Sequence, residues 1–532
     1  MRSSYNIWIV RMNYRPVILL GILFSWTSIT SASDFIDSLI TVRDGDANEI
    51  QGDRLLRVPA RQSNPIVIEN QQLGTDKWQI DHSFQANDTE GQIKGYASLT
   101  SVEKGESITF YVSVNPSQTY IIDIYRIGWY QGLGGRLMQH IGPLNGVQQS
   151  SCPTDSTTGM ISCNWRPAVS FVIPMSWTSG IYLARLTSAQ MFQNYIIFVV
   201  RDDSRVASLL YQQPVTTYQA YNNYPNDGQT GKSLYTFNSF GATTVTGDAR
   251  AAKVSFDRPY SGDGAGIGFL AWGINFVRWM EKSGYDVTYS TNIDTHTDGR
   301  RLVRYRGFLS AGHDEYWSKP MYDAVVAARD AGVDLAFFGA NAVYWQVRFE
   351  PSSRGVPNRV LVCYKNASSD PIADSDLKTV TWRDPLLNRP EQTLVGLQYT
   401  SMVPWSNGYA TYVVVNSDNW VYAGTGFKDG DTVPSIVGYE ADHLFGSYPV
   451  PNSVIGTYTL LSNSPFISAS PNPSFKSDYA NSSVYQAPSG AWVFASGTIS
   501  WTWALDSYGQ NSAVDPRIQR TTANILDRFI AN

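Results

Sequence analysis

The chain has 532 residues, of which 43% are hydrophobic and 16% are charged, and its formal net charge at pH 7 is −5. This balance is typical of a folded protein with two or three domains, and it excludes an intrinsically disordered chain. No lysine- or arginine-rich run is present, which argues against nucleic acid as a partner.

Residues 1–32 are predicted to be a secretory signal peptide. Arg11 and Arg15 precede an apolar run at 17–24, and small residues surround Ala32, where we expect cleavage. The apolar run is too short to span a bilayer comfortably. We therefore expect a secreted, extracellular protein with no membrane contact after cleavage; the alternative is an uncleaved signal anchor.

Other features fit an oxidising compartment. Asn-x-Ser/Thr triplets begin at Asn87, Asn366 and Asn481, and beside a signal peptide they are predicted N-glycosylation sites. Cys152 and Cys163 flank a short polar segment, so we expect a disulfide between them. Cys363 lies in an apolar run and is predicted to be a buried structural thiol.

The first third of the expected mature chain is predicted to be rich in strands. Residues 33–95 have weak periodicity and many polar positions, which indicates an extended N-terminal segment. Residues 96–203 contain alternating stretches rich in β-formers, at 107–114, 120–125, 170–174, 180–186 and 195–200. About seven short strands with turn residues between them predict a β-sandwich-like domain.

Residues 204–532 alternate between predicted strands and helices. Strands are expected at 207–211, 285–289, 306–311, 334–339 and 491–496, and helices at 268–280, between Ser318 and Gly332, and from 516 to 530. Such alternation predicts an α/β domain with a mostly parallel sheet that is covered on both faces. Residues 365–490 contain β-like segments and loops, and we interpret them as a β-rich elaboration of this domain.

Polar and aromatic side chains follow two of the predicted strands. His313, Glu315 and Tyr316 come after the strand at 306–311, and Asn341 and Tyr344 come after the strand at 334–339. Ligands bind at the carboxyl ends of the strands in open α/β sheets. The sequence therefore predicts a functional site at this edge.

Three of the residues near the predicted strand ends are candidate metal ligands. Tyr316, Tyr344 and Glu440, which follows the apolar run at 435–439, offer hard oxygen donors of the kind that suit ferric iron. Two phenolates and one carboxylate would balance the charge of the ion and limit the cost of burying it. The alternative interpretation is that the two tyrosines are packing groups.

Several ordered motifs resemble the large catalytic subunit of N,N-dimethylformamidase, in its C-terminal domain. They run in order through residues 205–530, and a glycine-rich segment upstream resembles the β-domain that accompanies it. The motifs are TYQAYN at 217–222, SLY at 233–235, GHDEYW at 312–317, GANAVYW at 339–345, GYEAD at 438–442, GTISWTW at 497–503 and, upstream, YRIGWY at 125–130.

The resemblance implies a domain similar to class I glutamine amidotransferases with a β-sandwich-like partner. It also implies one mononuclear iron ion held by two tyrosines and a glutamate. Matching motifs assign Tyr344 and Glu440 as ligands, with Tyr316 as the other tyrosine.

We therefore expect a secreted hydrolase that acts on the C–N bond of a small amide-type substrate. Iron would polarise the carbonyl and activate water. His313 or Glu315 would move protons, and Asn341 would orient the substrate or stabilise an oxyanion. The sequence leaves open whether the protein forms a homo-oligomer.

Two other functions stay open at this point. One is a non-catalytic secreted or surface protein that binds a ligand or glycan, with Trp317, Trp345, Trp501 and Trp503 as a platform or as core. The other is an enzyme on carbohydrate, which needs two carboxylates across the substrate. Asp314, Glu315 and Glu440 are the candidates for that pair.

Overall fold

The computed structural model describes residues 64–404, 408–469, 476–509 and 513–531. All of them belong to one unit, which runs from Pro59 to Asn532. The predicted signal peptide and the extended segment through residue 63 lie outside the described residues.

The first described part of the chain builds two sheets that share one core. Helix α1 (Pro65–Asn70) precedes them. The strands are β1 (Ile93–Ala97), β2 (Ser101–Glu103), β3 (Ser107–Val114), β4 (Thr119–Ile127), β5 (Gly135–Asn145), β6 (Val169–Val172), β7 (Gly180–Ser188) and β8 (Gln193–Arg201). One sheet has the order β1-β3-β6 and the other the order β2-β8-β7-β4-β5.

Alternation along β3 explains how the two sheets meet. Ile108, Phe110 and Val112 are buried, whereas the residues between them are partly exposed. The ring of Phe110 lies 5.7 Å from that of Phe198 in β8, and both belong to the same core cluster. The period-2 pattern thus places one face of each sheet in a common interior.

The segment predicted as extended, 33–95, contains regular structure in its described part, namely α1 and the start of β1.

After Ser204 the chain alternates between strands and helices, as predicted. The elements of this part are β9 (Leu209–Gln213), α2 (Val215–Tyr221), β10 (Lys253–Ser255), α3 (Ile274–Lys282), β11 (Val287–Thr291), α4 (Asn292–Asp298), β12 (Gly307–Gly312), β13 (Tyr316–Ser318), α5 (Lys319–Asp330), β14 (Asp334–Gly339), β15 (Trp345–Glu350) and β16 (Val360–Val362).

The rest of the chain adds short strands and two helices. They are α6 (Gln392–Val395), β17 (Gln398–Met402), β18 (Ala410–Val413), β19 (Thr432–Val437), β20 (Glu440–His443), β21 (Thr459–Leu460), β22 (Ser464–Ser468), β23 (Lys476–Ala480), β24 (Ser483–Gln486), β25 (Trp492–Ala495) and α7 (Pro516–Ala531).

A seven-stranded sheet organises this second part. Its order is β11-β9-β12-β14-β25-β24-β21. The first five strands pair in parallel, and β24 and β21 form an antiparallel edge. β24 and β21 come from the region interpreted as an elaboration, so that region contributes strands to the main sheet. The protein is thus a mixed α/β protein, rich in strands, with several sheets and few helices.

The helix between β12 and β14 has the predicted ends. Ser318 is the N-cap of α5 and accepts a hydrogen bond from the backbone N–H of Met321. Pro320 lies in the first turn, where its missing N–H costs nothing. Gly332 follows the helix with a φ of +97°, a conformation that glycine adopts without strain.

Among the described residues, no helix has both the length and the apolar character needed to cross a membrane.

A buried ion pair joins the two parts of the chain. Arg126 in β4 donates to both carboxylate oxygens of Glu281 in α3, at 2.8 and 3.0 Å, and both side chains are fully buried. Tyr289 and Asn70 also donate to Glu281, at 2.7 and 2.8 Å. Because every oxygen has a donor, the desolvation cost of the pair is compensated.

The predicted cysteine arrangement is confirmed. Cys152 and Cys163 form a disulfide, and Cys363 is a buried free thiol whose pKa is raised by burial to about 12.

The predicted glycosylation sites differ in exposure. Asn87 and Asn366 are exposed. Asn481 is buried and its side-chain amide donates to the Ser462 carbonyl at 2.7 Å, so the folded chain has no room for a glycan there.

Candidate functional site

The site lies where two neighbouring parallel strands end. His313 follows β12 directly, and Asn341 comes two residues after β14. Gly312 and Gly339 are register partners at this edge, and a Cβ on Gly339 would lie 2.0 Å from the Gly312 carbonyl oxygen. Glycine is therefore required for the two strand ends to approach so closely.

Asp314 anchors the loop between β12 and β13. Its buried carboxylate accepts hydrogen bonds from Gln212, Asn292 and Ser310 at 2.8, 2.9 and 2.9 Å. The backbone N–H of the next residue, Glu315, donates to the Thr217 hydroxyl at 2.9 Å. These contacts make Asp314 a scaffold residue and fix the direction of the Glu315 side chain.

Two phenols and one carboxylate converge at this loop. The Tyr221 hydroxyl donates to Glu315 at 2.9 Å, and the Tyr235 hydroxyl lies 2.9 and 3.0 Å from the two Glu315 oxygens. The Tyr235 and Tyr221 hydroxyl oxygens are 2.8 Å apart, and their rings stack at 4.3 Å. We call Tyr221, Tyr235 and Glu315 the oxygen triad.

Local structure brings each member of the oxygen triad to this point. Tyr221 is the last residue of α2, which directly follows β9, the other neighbour of β12 in the sheet. Tyr235 comes from the loop after α2, where its backbone N–H donates to Ser233. Both tyrosines are partly exposed, whereas Glu315 is buried beneath them. The open side of the triad is therefore the phenol side.

His313 lies between two buried carboxylates. Its Nε2 atom is 2.9 Å from Glu440 Oε2 and 3.2 Å from Glu315 Oε2, without the alignment of a hydrogen bond. Burial by itself lowers the pKa of His313, but Glu440 and Glu315 outweigh it and raise the pKa to about 10. The imidazole is thus held in its protonated form by its two acidic neighbours.

Asn341 and Glu440 complete the wall beside His313. Asn341 is fixed by its backbone N–H, which donates to Asp442 in β20 at 2.8 Å. Burial raises the pKa of Glu440, while the nearby His313 and Asn341 side chains act in the opposite direction. Asn341 Oδ1 and Trp272 Nε1, both buried, have no hydrogen-bond partner in the described part of the chain. These two are polar atoms available to a ligand, beside the ion pair of His313 Nε2 and Glu440 Oε2.

The structure brings His313, Glu315, Asn341 and Glu440 together, but it arranges the predicted metal ligands differently. No hydrogen bond joins Tyr316, Tyr344 and Glu440 to one another among the described residues. Tyr316 is buried and its hydroxyl donates to Tyr235 at 2.6 Å. The Tyr344 ring instead packs against Tyr399, with ring centroids 5.5 Å apart. The set of two phenols and a carboxylate that meets in space is the oxygen triad.

The tryptophans proposed as a platform lie mostly in the core. Trp317, Trp501 and Trp503 are at most 3% exposed. Trp345 is partly exposed and lies at the site. A flat aromatic surface for a glycan is therefore not formed by these four residues.

Among the described residues, no group of three or more His, Cys, Asp or Glu side chains is arranged to hold a metal ion. The oxygen triad is a different kind of donor set, since two of its three members are tyrosines. Phenol and carboxylate oxygens are hard donors.

The residues around this site all lie within a stretch that a known family shares. The family model described as N,N-dimethylformamidase beta subunit-like, C-terminal, matches residues 121–515. The chain belongs to the N,N-dimethylformamidase beta subunit-like family. The resemblance inferred from the motifs is thus confirmed.

One relative of this family and one solved structure illustrate the extent of the similarity. The N,N-dimethylformamidase beta subunit of Alcaligenes sp. is 23% identical over 428 residues, which are 69% of this chain and 54% of the relative. The chain therefore spans about half the length of that relative. A Paenibacillus sp. cycloisomaltooligosaccharide glucanotransferase, complexed with cycloisomaltoheptaose, aligns over 75% of this chain and 66% of its own with 8% identity. Its TM-score of 0.17 is too low to carry an argument.

Sequence reasoning missed the two tyrosines of the oxygen triad. Both lie inside motifs of the dimethylformamidase-like family, TYQAYN and SLY, which do not by themselves indicate a role for either tyrosine. A signal for Tyr221 existed, because it follows strand β9 through one short helix. Tyr235 follows no strand closely, and only the folded chain brings its hydroxyl to Glu315.

Proposed function

We propose that this protein hydrolyses the C–N bond of a small amide at a mononuclear iron site. The observation that carries the proposal is the convergence of Tyr221, Tyr235 and Glu315 at hydrogen-bond distances. Membership of the dimethylformamidase-like family supports the reaction class. Tyr221, Tyr235 and Glu315 replace Tyr316, Tyr344 and Glu440 as the proposed ligands.

The residues present fit a hard trivalent cation. Two phenolates and one carboxylate carry three negative charges, which match ferric iron and reduce the cost of a buried charge. When bound, the ion supplies Lewis acidity, which polarises an amide carbonyl and lowers the pKa of water. The unpartnered Oδ1 atom of Asn341, beside the ion pair of His313 and Glu440, supports a ligand-binding role for the same space.

Side chains of this protein then transfer protons and orient the substrate. Glu440 Oε2 accepts a proton from the attacking water, which adds to the carbonyl carbon. His313 Nε2 delivers a proton to the amide nitrogen as the C–N bond breaks, and the products are a carboxylic acid and an amine. Asn341 faces the same space and orients the substrate amide through its carboxamide.

We make two further proposals, one about the architecture of the protein and one about its cellular location. We infer that the two-sheet part is β-sandwich-like and that the part with the seven-stranded sheet is similar to class I glutamine amidotransferases. The shared core of the two sheets and the five parallel strands support this. We also propose that the protein is secreted, which the Cys152–Cys163 disulfide supports.

Metal content and colour of the purified protein test the proposed site. Ferric phenolate absorbs visible light strongly, so wild-type protein loaded with Fe(III) should be coloured and should hydrolyse N,N-dimethylformamide or a related small amide. Tyr221→Phe and Tyr235→Phe should each lose most of the iron and the colour. Their activity should fall by more than ~100-fold, since even outer-shell partners of a metal cost 10- to 100-fold.

Tyr344→Phe is the matched control: the backbone N–H of Tyr344 donates to the Glu315 carbonyl at 2.8 Å, a bond that the variant keeps, whereas its ring packs against Tyr399 and not against the triad side chains. It should retain iron and colour. If Tyr344→Phe loses the metal while Tyr235→Phe keeps it, the ligand assignment from the structure is wrong. Wild-type protein that binds no iron and hydrolyses no amide would overturn the proposed function as a whole.

A further inference from the structure

The two tyrosines of the oxygen triad have different surroundings. Tyr221 stacks on Tyr235 on one side and lies near His313, with ring centroids 5.4 Å apart, on the other. Tyr235 has two additional neighbours that Tyr221 lacks, Lys365 and Tyr316. The two tyrosine side chains, although chemically identical, therefore lie in different electrostatic surroundings.

Lys365 lies directly over the ring of Tyr235. Its Nζ atom is 3.5 Å from the Tyr235 ring centroid, and it is 4.9 and 5.3 Å from the rings of Trp345 and Tyr316. Within the described residues, the Lys365 ammonium has no carboxylate at ion-pair distance; the three rings are its contacts, and the Glu315 carboxylate attracts it from farther away. An ammonium group at such distances is attracted by the negative face of an aromatic ring.

Backbone geometry supports a dedicated position for Lys365. The residue follows β16 and has a φ of +58°, a region that a side chain other than glycine rarely adopts. Its backbone therefore turns at this point, and the side chain reaches the ring of Tyr235, 130 positions earlier in the chain. Strained residues of this kind cluster at functional sites.

Tyr316 acts on the other end of Tyr235. Its hydroxyl donates to the Tyr235 oxygen at 2.6 Å, and its side chain is fully buried. The donor side of the hydrogen bond is therefore shielded from water, and electrostatic interactions are stronger in such surroundings. Lys365 and Tyr316 thus act on one tyrosine, one at the ring and one at the oxygen.

We propose that Lys365 and Tyr316 are positioning residues that make Tyr235 the more strongly stabilised of two unequal tyrosine ligands. This inference rests on the proposed function, because it requires that Tyr235 binds the metal. The ammonium of Lys365 attracts the negative charge that the Tyr235 side chain carries as a ligand, and the Tyr316 hydroxyl holds its oxygen in place. Tyr221 has neither neighbour and is the more weakly stabilised ligand.

The two effects can be measured without activity. Stabilising a phenolate lowers the energy of its donor electrons, so it raises the energy of the phenolate-to-iron absorption band. Lys365→Met should move that band to longer wavelength and weaken Fe(III) binding by about 10- to 100-fold, as loss of an outer-shell partner does. Tyr316→Phe, which removes one hydroxyl and keeps the ring, should change both quantities in the same direction.

Lys365→Arg is the rescue variant, since a guanidinium also stacks on aromatic rings and keeps the charge. It should restore most of the band position and of the affinity. Lys282→Met is the matched control, because Lys282 lies 5.9 Å from the ring of Trp129, away from the triad. That variant should match the wild type in both measurements.

The outcomes separate this inference from the proposed function. If wild-type protein binds iron with the phenolate colour but Lys365→Met and Tyr316→Phe leave band and affinity unchanged, only the positioning role is wrong. An equal loss in Lys365→Arg and Lys365→Met would also overturn it, since it would indicate a purely steric role. If wild-type protein binds no iron, the proposed function fails and this inference fails with it.

Discussion

The hydroxyl oxygens of Tyr221 and Tyr235 lie 2.8 Å apart, although 14 positions separate the two residues in the chain. Both hydroxyls also contact Glu315, which is 94 positions from Tyr221. Three acidic or weakly acidic oxygens at such distances repel one another once they ionise, unless a cation lies between them. The arrangement is therefore suited to a bound metal ion.

A metal that binds only the folded protein should stabilise it. At a free Fe(III) concentration of 100 times the Kd, the free energy of unfolding should rise by about 2.7 kcal/mol. Thermal unfolding with and without the metal measures this, with a weak chelator to keep the iron soluble. Tyr235→Phe should show a much smaller rise, and an equal rise in both proteins would place the metal elsewhere.

Asn341 should matter for turnover and not for metal binding. Asn341→Ala removes a carboxamide whose Oδ1 has no partner in the described protein, and whose backbone N–H still holds Asp442. We expect kcat/KM to fall by roughly 10²–10³, the usual loss for one preorganised polar group at a reacting centre. Iron content and the visible band should not change. Full activity in the variant would remove Asn341 from the proposed mechanism.

Loss of Glu281 should destabilise the protein strongly. Glu281→Ala leaves the buried guanidinium of Arg126 without its carboxylate, which typically costs about 3–5 kcal/mol. Urea unfolding measures the change. The control is Lys319→Ala, which breaks an exposed pair with Asp323 and should cost less than ~1 kcal/mol. If the two variants are equally stable, the buried pair does not hold the two parts of the chain together.

The disulfide should contribute measurably to stability. The bridge between Cys152 and Cys163 spans a sequence separation of 11, for which chain entropy predicts about 3 kcal/mol. The double variant Cys152→Ser/Cys163→Ser should lose about that amount, measured by denaturant unfolding. A reductant should lower the melting temperature of the wild type and not that of the double variant.

Stability should fall at acidic pH through His296. Burial lowers the pKa of this residue to about 4, from an ordinary value of 6.5, and its ring packs on Phe349. Between those two values the unfolded chain binds a proton that the folded chain does not, so stability decreases as the pH falls from 6.5 to 4. The group contributes at most about 3 kcal/mol to this decrease.

Replacement of His296 checks that assignment. His296→Gln should show a smaller loss of unfolding free energy between pH 6.5 and pH 4 than the wild type. His82→Gln changes an exposed histidine and should retain the wild-type slope. An unchanged slope in His296→Gln would mean that other groups cause the acid sensitivity.

Local patterns in the sequence predicted the elements that frame the site. The apolar runs at 306–311 and 334–339 became β12 and β14, and the capping residues gave the ends of α5, because these signals depend on near neighbours. The rule for strand ends placed His313, Glu315 and Asn341 together correctly. The same rule also selected Tyr316 and Tyr344, which contact Tyr235 and Tyr399 and not each other, since following a strand does not fix where a side chain points.

What the sequence alone determined, then, is the family, the alternation of strands and helices, the disulfide and one edge of the sheet. What only the tertiary structure decided is which oxygens meet there. Tyr235 reaches Glu315 from a loop 80 positions away, and Lys365 reaches Tyr235 from beyond β16. Contacts between such distant residues depend on how whole elements pack, and no local pattern of residues encodes that packing.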